Sequence, residues 1–197
     1  MVELRDIDEV IAAIPAGRVV VGIAGAPGAG KSTVAAALAE RMPGSIVLPM
    51  DGFHLPQAEL RRLGRRDRMG APDTFDVPGL VATLRAVHNS SHSVWAPAFD
   101  REIEEPVPDA IQILEELRTV IVEGNYLLLW DEVRPLLDVT FFLDIDDDVR
   151  RRRLVDRHVR YGKSGPDAEA WVTSVDEPNA RTILATAARA DHRITLA

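Results

Sequence analysis

The 197-residue chain contains no cysteine. That excludes a disulfide framework, a thiolate nucleophile and a Cys-ligated zinc or iron–sulfur centre. It is compatible with a reducing compartment. Long apolar runs are also missing, with nothing approaching the ~20 residues that span a bilayer. The start, Met1-Val2-Glu3-Leu4-Arg5-Asp6, is mixed in charge and leads into no apolar signal-peptide segment. Aromatic residues make up only 5% of the chain, and lysine occurs twice, as Lys31 and Lys163. Positive charge is in deficit, 23 Lys+Arg against 31 Asp+Glu for a net charge of −8. This argues against a general nucleic-acid binder and leaves room for a local basic patch serving one phosphate site. What is present is a 46% hydrophobic chain with no repeat, low-complexity tract or linker. We expect one cytoplasmic domain over 1–197, without membrane or nucleic-acid partners.

Leu4, Ile7, Val10, Ile11 and Ile14 recur at spacings of three and four, predicting an amphipathic helix over 3–14 that Pro15 and Gly17 end. Residues 18–24 (RVVVGIA) form a β-branched run and predict a buried strand. A Gly-rich turn follows, then a helix over 31–42 stopped by Pro43-Gly44. Segments 45–50, 119–122, 139–143 and 192–196 read as further strands, and helical patterns cover 110–118, 146–161 and 176–190. The alternation predicts an α/β fold in three layers, a five-stranded parallel sheet with helices on both faces. Residues 51–109 offer no obvious strand of that sheet and one helical pattern, at 78–88. So long an excursion between core strands is more often functional than idle.

Gly25-Ala26-Pro27-Gly28-Ala29-Gly30-Lys31-Ser32, followed by Thr33, matches the phosphate-loop pattern G-x-x-x-x-G-K-[ST] in full. A strand precedes it and a helix follows, as the motif requires. Glycines let successive backbone N–H groups turn inward onto phosphate oxygens, and the helix N-terminus adds partial positive charge. Lys31 supplies a compact charge in a chain that otherwise uses arginine, and the Ser32 hydroxyl suits Mg²⁺. The alternative, a chance glycine-rich turn, fits the full pattern poorly. The loop alone does not separate a kinase from a GTPase, an AAA-type ATPase or a transporter ATPase. A guanine-reading [NT]-K-x-D and an L-S-G-G-Q signature are both lacking.

Met50-Asp51-Gly52-Phe53-His54 sets a carboxylate at the C-terminal end of the second strand, the edge where open α/β sheets bind ligands. A base there takes the proton of an acceptor hydroxyl attacking a γ-phosphate. Glu123 sits at the matching end of the third strand, suited to supporting Mg²⁺. Either acid alone also fits a helix cap or turn; two at strand ends beside one phosphate loop fit that less well.

These residues carry a resemblance. GAPGAGKS, MDGFH, GAPDTFD, APAFDR, VIVEGNYLLL, an Arg-rich helix and RADHRITL together resemble the uridine kinase, pantothenate kinase and phosphoribulokinase superfamily of P-loop kinases. The resemblance implies a P-loop NTPase fold, an ATP- and Mg²⁺-dependent kinase, and a mobile lid. It places a catalytic base on Asp51, a metal-supporting or substrate-orienting acid on Glu123, and an acceptor-binding insertion over 53–109. Uridine kinases typically carry an acid where this chain has Gly70. That leans toward the pantothenate-kinase side, whose members are considerably longer chains.

Arg150, Arg153, Arg157 and Arg160 share one helical face, at spacings of three, four and three. Aligned guanidiniums repel unless an anion faces them, so a lid over 146–165 is expected. Arg153 is assigned to the nucleotide and Arg157 to catalysis, but related kinases often carry an Arg-Asp pair where this chain reads Asp156-Arg157, which leaves open which arginine meets phosphate. A solvated charged face is the alternative. The acceptor, a hydroxyl of a nucleoside, sugar or pantothenate-like metabolite by this resemblance, is assigned to His54, Asp76, Trp95, Phe99, Arg101 and Tyr126 together with Asp51 and Glu123; Arg65, Asp73 and Asp100 are further candidates. Trp95 and Phe99 either form an aromatic pocket face or fill core. A monomer or homodimer is expected. The rival function is a nucleotide-binding regulator or slow NTPase without an acceptor.

Overall fold

The computed structural model describes residues 2–195. Six parallel strands form the main sheet in the order β1 (Val2–Leu4), β8 (His192–Ile194), β7 (Val139–Leu143), β2 (Val19–Gly25), β6 (Thr119–Gly124), β3 (Ser45–Pro49). Strands β2, β6 and β7 are buried along their whole length, which is why they read as unbroken apolar runs rather than alternating ones. Alternation still sorts the two faces. Val19, Val21 and Ile23 join the core that contains Val10 of α1 (Ile7–Ala13) and Val34, Ala35 and Leu38 of α2 (Lys31–Arg41). Val20 and Ala24 join the opposite core with Leu48, Met50 and Val122.

That second core takes Leu80, Val81, Leu84 and Val87 from α4 (Val77–Asn89), the apolar face of an amphipathic helix. Each such burial stabilises by ~1.5–3 kcal/mol. Ahead of α4 the excursion contains a short helix, α3 (Gln57–Arg62). After it comes an antiparallel hairpin, β4 (Val94–Asp100) with β5 (Glu105–Ile113). The chain then passes through β6 and β7 into α5 (Asp147–Arg160), α6 (Gly165–Trp171), a π-helical turn Val172–Asp176, and α7 (Glu177–Leu184). No described helix is long and apolar enough to cross a membrane.

The class is as expected, and three details differ. A sixth strand, β1, adds to the five: Leu4 pairs with Ile194 instead of opening a helix, and the helix begins after Asp6, whose side chain accepts from the Glu9 N–H at 2.9 Å. The helix expected over 110–118 is the end of β5, where Ile111 and Ile113 pair with Ala96 and Val94. The chain turns only after β5, where the Leu117 N–H donates to the Leu114 carbonyl at 3.2 Å. The last helix is α7 alone, preceded by the π turn. Leu196, assigned to the final strand, lies outside the described residues.

Candidate active site

Strand β2 ends at Gly25 and the loop turns at Gly28 and Gly30, with φ of +81° and +100°. A Cβ at Gly28 would lie 2.8 Å from the Arg150 carbonyl oxygen, so both conformation and space require glycine there. Gly30 caps α2, whose first residue is Lys31. Lys31 is 8% exposed, and its Nζ donates to Asn125 Oδ1 at 2.7 Å and the Ala26 carbonyl at 3.2 Å. Burial pulls its pKa down to about 8, partly offset by the charge of Glu123. The Ser32 hydroxyl donates to Glu123 Oε1 at 2.8 Å. Burial raises the Glu123 carboxyl above the usual range, against the pull of Lys31.

This donor set fits the groups that a phosphate loop implies. Ser32 Oγ and Glu123 Oε1 are hard oxygen donors beside the loop. The described residues hold no cluster of three or more His, Asp or Glu side chains that could bind a metal by themselves. The Ser32–Glu123 pair suits Mg²⁺, which keeps waters and takes phosphate oxygens alongside one or two protein ligands. The cradle at Gly28 and Gly30, closed by the Lys31 ammonium, fits a polyphosphate.

Asp51 follows β3 in a 3₁₀ turn (Met50–Phe53), and Arg101 in the hairpin turn donates to its Oδ2 at 2.8 Å. His54 Nδ1 lies 2.7 Å from the Asp51 carbonyl oxygen. A carbonyl only accepts, so Nδ1 is the donor in this contact. Burial lowers the His54 pKa, against the pull of the Asp51 carboxylate. Phe75 and Phe99 flank it, with centroids 4.0 and 4.7 Å away.

Above the loop, α5 distributes its arginines unequally. Arg153 Nη1 donates to the Ala29 carbonyl at 3.4 Å. Arg157 and Arg160 face open space. Arg150 is 2% exposed and bonded to Asp147 and Glu177, so it is a structural anchor and leaves the row of four expected to face phosphate. Two cavities result. The larger, ~930 Å³, is lined by Gly28, Lys31, Ser32, Asp51, His54, Phe99, Arg101, Glu123 and Arg157 among the expected residues. The smaller, ~410 Å³, is lined by Gly28, Gly30, Lys31, Ser32, Thr33, Arg153 and Arg157.

Three residues assigned to the acceptor lie away from both cavities. Trp95 is 51% exposed on β4 and forms neither pocket wall nor core. Asp76 caps α4, accepting from the Gly79 N–H at 2.9 Å. Tyr126 is buried, its hydroxyl donating to the Gly70 carbonyl at 2.7 Å and its pKa raised by burial. Asp73 is tied to Arg65 and Arg68 and braces its own loop. The cavity also recruits residues the sequence did not single out, chiefly Asn125, Arg66, Lys163 and Trp171. Asn125 stood within VIVEGNYLLL, two residues after Glu123, which was its only local signal.

A model of the phosphoribulokinase / uridine kinase family matches residues 20–177. The chain is 38% identical over 168 residues to a provisionally named uridine kinase of Schizosaccharomyces pombe, covering 78% of this chain and 72% of that one. It is 31% identical over 149 residues to the pantothenate kinase of Lacticaseibacillus casei, covering 70% of this chain but 48% of that longer one. A solved structure of a provisionally assigned fructose transport system kinase from Silicibacter sp. TM1040 matches with a TM-score of 0.83 at 36% identity. The match covers 95% of this chain and 96% of that one.

Proposed function

The chain belongs to the phosphoribulokinase and uridine kinase family of P-loop kinases, phosphotransferases with an alcohol group as acceptor, and on that premise we propose that it transfers the γ-phosphate of Mg·ATP to a hydroxyl of a nucleoside, sugar or pantothenate-like metabolite. One observation carries the reading. The two cavities share Gly28, Lys31, Ser32, Arg157 and Arg160, and they meet over the phosphate loop. Gly30, Thr33 and Arg153 lie on the smaller side alone, suiting the nucleotide. Asp51, His54, Phe99 and Arg101 lie on the larger side alone, suiting an acceptor.

Bound Mg·ATP supplies the electrophilic γ-phosphoryl group. The loop amides and Lys31 would hold the polyphosphate, and Ser32 and Glu123 would hold the metal. Asp51 takes the proton of the acceptor hydroxyl as that oxygen attacks, and Arg101 fixes which carboxylate oxygen is free to do so. Arg157 sits over both cavities and balances charge on the oxygens in flight. Phe99 and the His54–Phe75 pair offer an apolar wall for the acceptor's carbon skeleton.

The test is ADP release from Mg·ATP across nucleosides, pentoses, hexoses, polyols and pantothenate. Stimulation by one class, with a phosphorylated product, is the expected result. Binding of ATP with the same rate in every compound's presence supports a nucleotide-binding regulator or slow NTPase instead.

A further inference from the structure

The two walls of the larger cavity differ in charge. On the wall built by the excursion, Asp51 is held by Arg101 and Glu104 by Arg66, while Glu102 has no cationic partner among the described residues. On the lid wall the imbalance is reversed. Arg157, Arg160 and Lys163 have no carboxylate partner among the described residues, and Asp176, the acid on that wall, is taken by His158 at 2.8 Å.

These cations also run in order. Arg153 lines only the smaller cavity, Arg157 and Arg160 line both, and Lys163 lines only the larger one. From Arg153 to Arg160 the helix advances about 10 Å at its rise of ~1.5 Å per residue. A polyphosphate on the loop accounts for the near end of this row and leaves Lys163 at the far end unmatched. Its ammonium is nonetheless held in place, 4.2 Å from the Trp171 ring centroid. Such stacking fixes a cation without neutralising it. Both lysines of the chain therefore line one cavity, Lys31 from the phosphate loop and Lys163 from the turn that follows α5.

Resting on the kinase reading above, we propose that the acceptor is a hydroxy compound carrying its own anionic group, a carboxylate or a phosphate ester, which Lys163 binds with Arg160 beside it. Its hydroxyls face the acidic excursion wall, where Asp51 and Glu102 accept hydrogen bonds. A neutral polyol would leave the cationic end of the cavity unanswered. An acid satisfies both walls at once and fixes which hydroxyl meets Asp51.

Matched pairs differing only in charge test this: glycerate against glycerol, pantothenate against its alcohol, and ribose 5-phosphate against ribose. We expect one acid to show a KM at least 10-fold below that of its neutral twin, and the pair concerned separates carboxylate from phosphate. Lys163→Met should erase the preference and Lys163→Arg should keep it, a contrast that a folding defect does not produce. Equal or better use of the neutral twin, or a preference that survives Lys163→Met, overturns the proposal. A second measurement is independent of turnover. With Mg²⁺ and a non-hydrolysable ATP analogue filling the nucleotide site, calorimetry with inorganic phosphate should detect one further anion in wild type and none in Lys163→Met. No further anion in wild type overturns the proposal too. Absence of ADP release with every compound counts against the kinase reading, and the phosphate titration then judges the anion site alone.

Discussion

Lys31 is a buried ammonium whose hydrogen bonds go to two neutral oxygens, those of Asn125 and Ala26. Burial dominates its chemistry and lowers its pKa to about 8. The unfolded chain holds that proton more tightly, so this group costs stability below pH 8, and the cost is relieved as pH rises from about 8 toward 10.5. A bound polyphosphate restores the charge. Nucleotide binding should therefore take up a proton near pH 8 and weaken as pH rises from 7 to 9. Calorimetry in buffers of different ionisation enthalpy checks this, and a flat affinity with no buffer dependence contradicts it. Lys31→Met should raise thermal stability slightly while lowering nucleotide affinity by ~10²-fold or more. The two effects would be read by thermal melts and the same calorimetry. Lys31, Ser32, Asp51 and Glu123 were legible because each sits at a fixed offset from a strand end. Asn125 was not, since nothing in its own neighbourhood marks it as the acceptor for the Lys31 ammonium. Tyr126 was misplaced because an aromatic hydroxyl near a site looks the same in sequence whether it meets a ligand or the Gly70 carbonyl.

Helix α5 is tied to α7 through one buried network. Arg150 and Arg151 both bond to Glu177, whose carboxylate is held below its usual pKa by the two guanidiniums despite its burial. Removing Glu177 leaves Arg150 in the interior with Asp147 alone. Glu177→Ala should cost ~3 kcal/mol, lowering the melting temperature by roughly 6–12 °C in a chain of this size. Arg150→Met combined with Glu177→Leu should recover most of that loss. An unchanged melting temperature in the single variant would show that the network holds nothing in place. The periodicity of α5 was plain in the sequence, but its division into a buried anchor, Arg150, and arginines turned to the cavities was not. All four lie on one face by spacing, and only the packing of α7 decides which of them is covered. The β4–β5 hairpin was hidden for a similar reason: its strands pair with each other and not with the main sheet, and its second strand begins with prolines that mask the alternation.

Across the molecule, the sheet order places β2, β6 and β3 side by side, so the phosphate loop, Glu123 and Asp51 emerge from neighbouring strand ends. Parallel strands need a crossover between them, so strand–helix alternation made the class readable from the sequence alone. The sixth strand was not, because β1 is three residues long and gains its structure from β8 rather than from its own pattern. Its distance in the sheet from the site gives a separable prediction. Deleting residues 1–4 should remove ~1–2 kcal/mol of stability through loss of buried Leu4, while leaving kinetic constants intact. Melting curves and steady-state kinetics on the truncated chain check both parts. The proposed chemistry turns on Asp51 deprotonating an acceptor hydroxyl where two cavities meet on the phosphate loop. The most direct measurement compares wild type with Asp51→Asn for acceptor-stimulated ADP release, basal ATP hydrolysis and ATP affinity. A loss of ~10²-fold or more is expected in the first, with little change in the other two. Equal losses in both activities, or no loss in either, would contradict it.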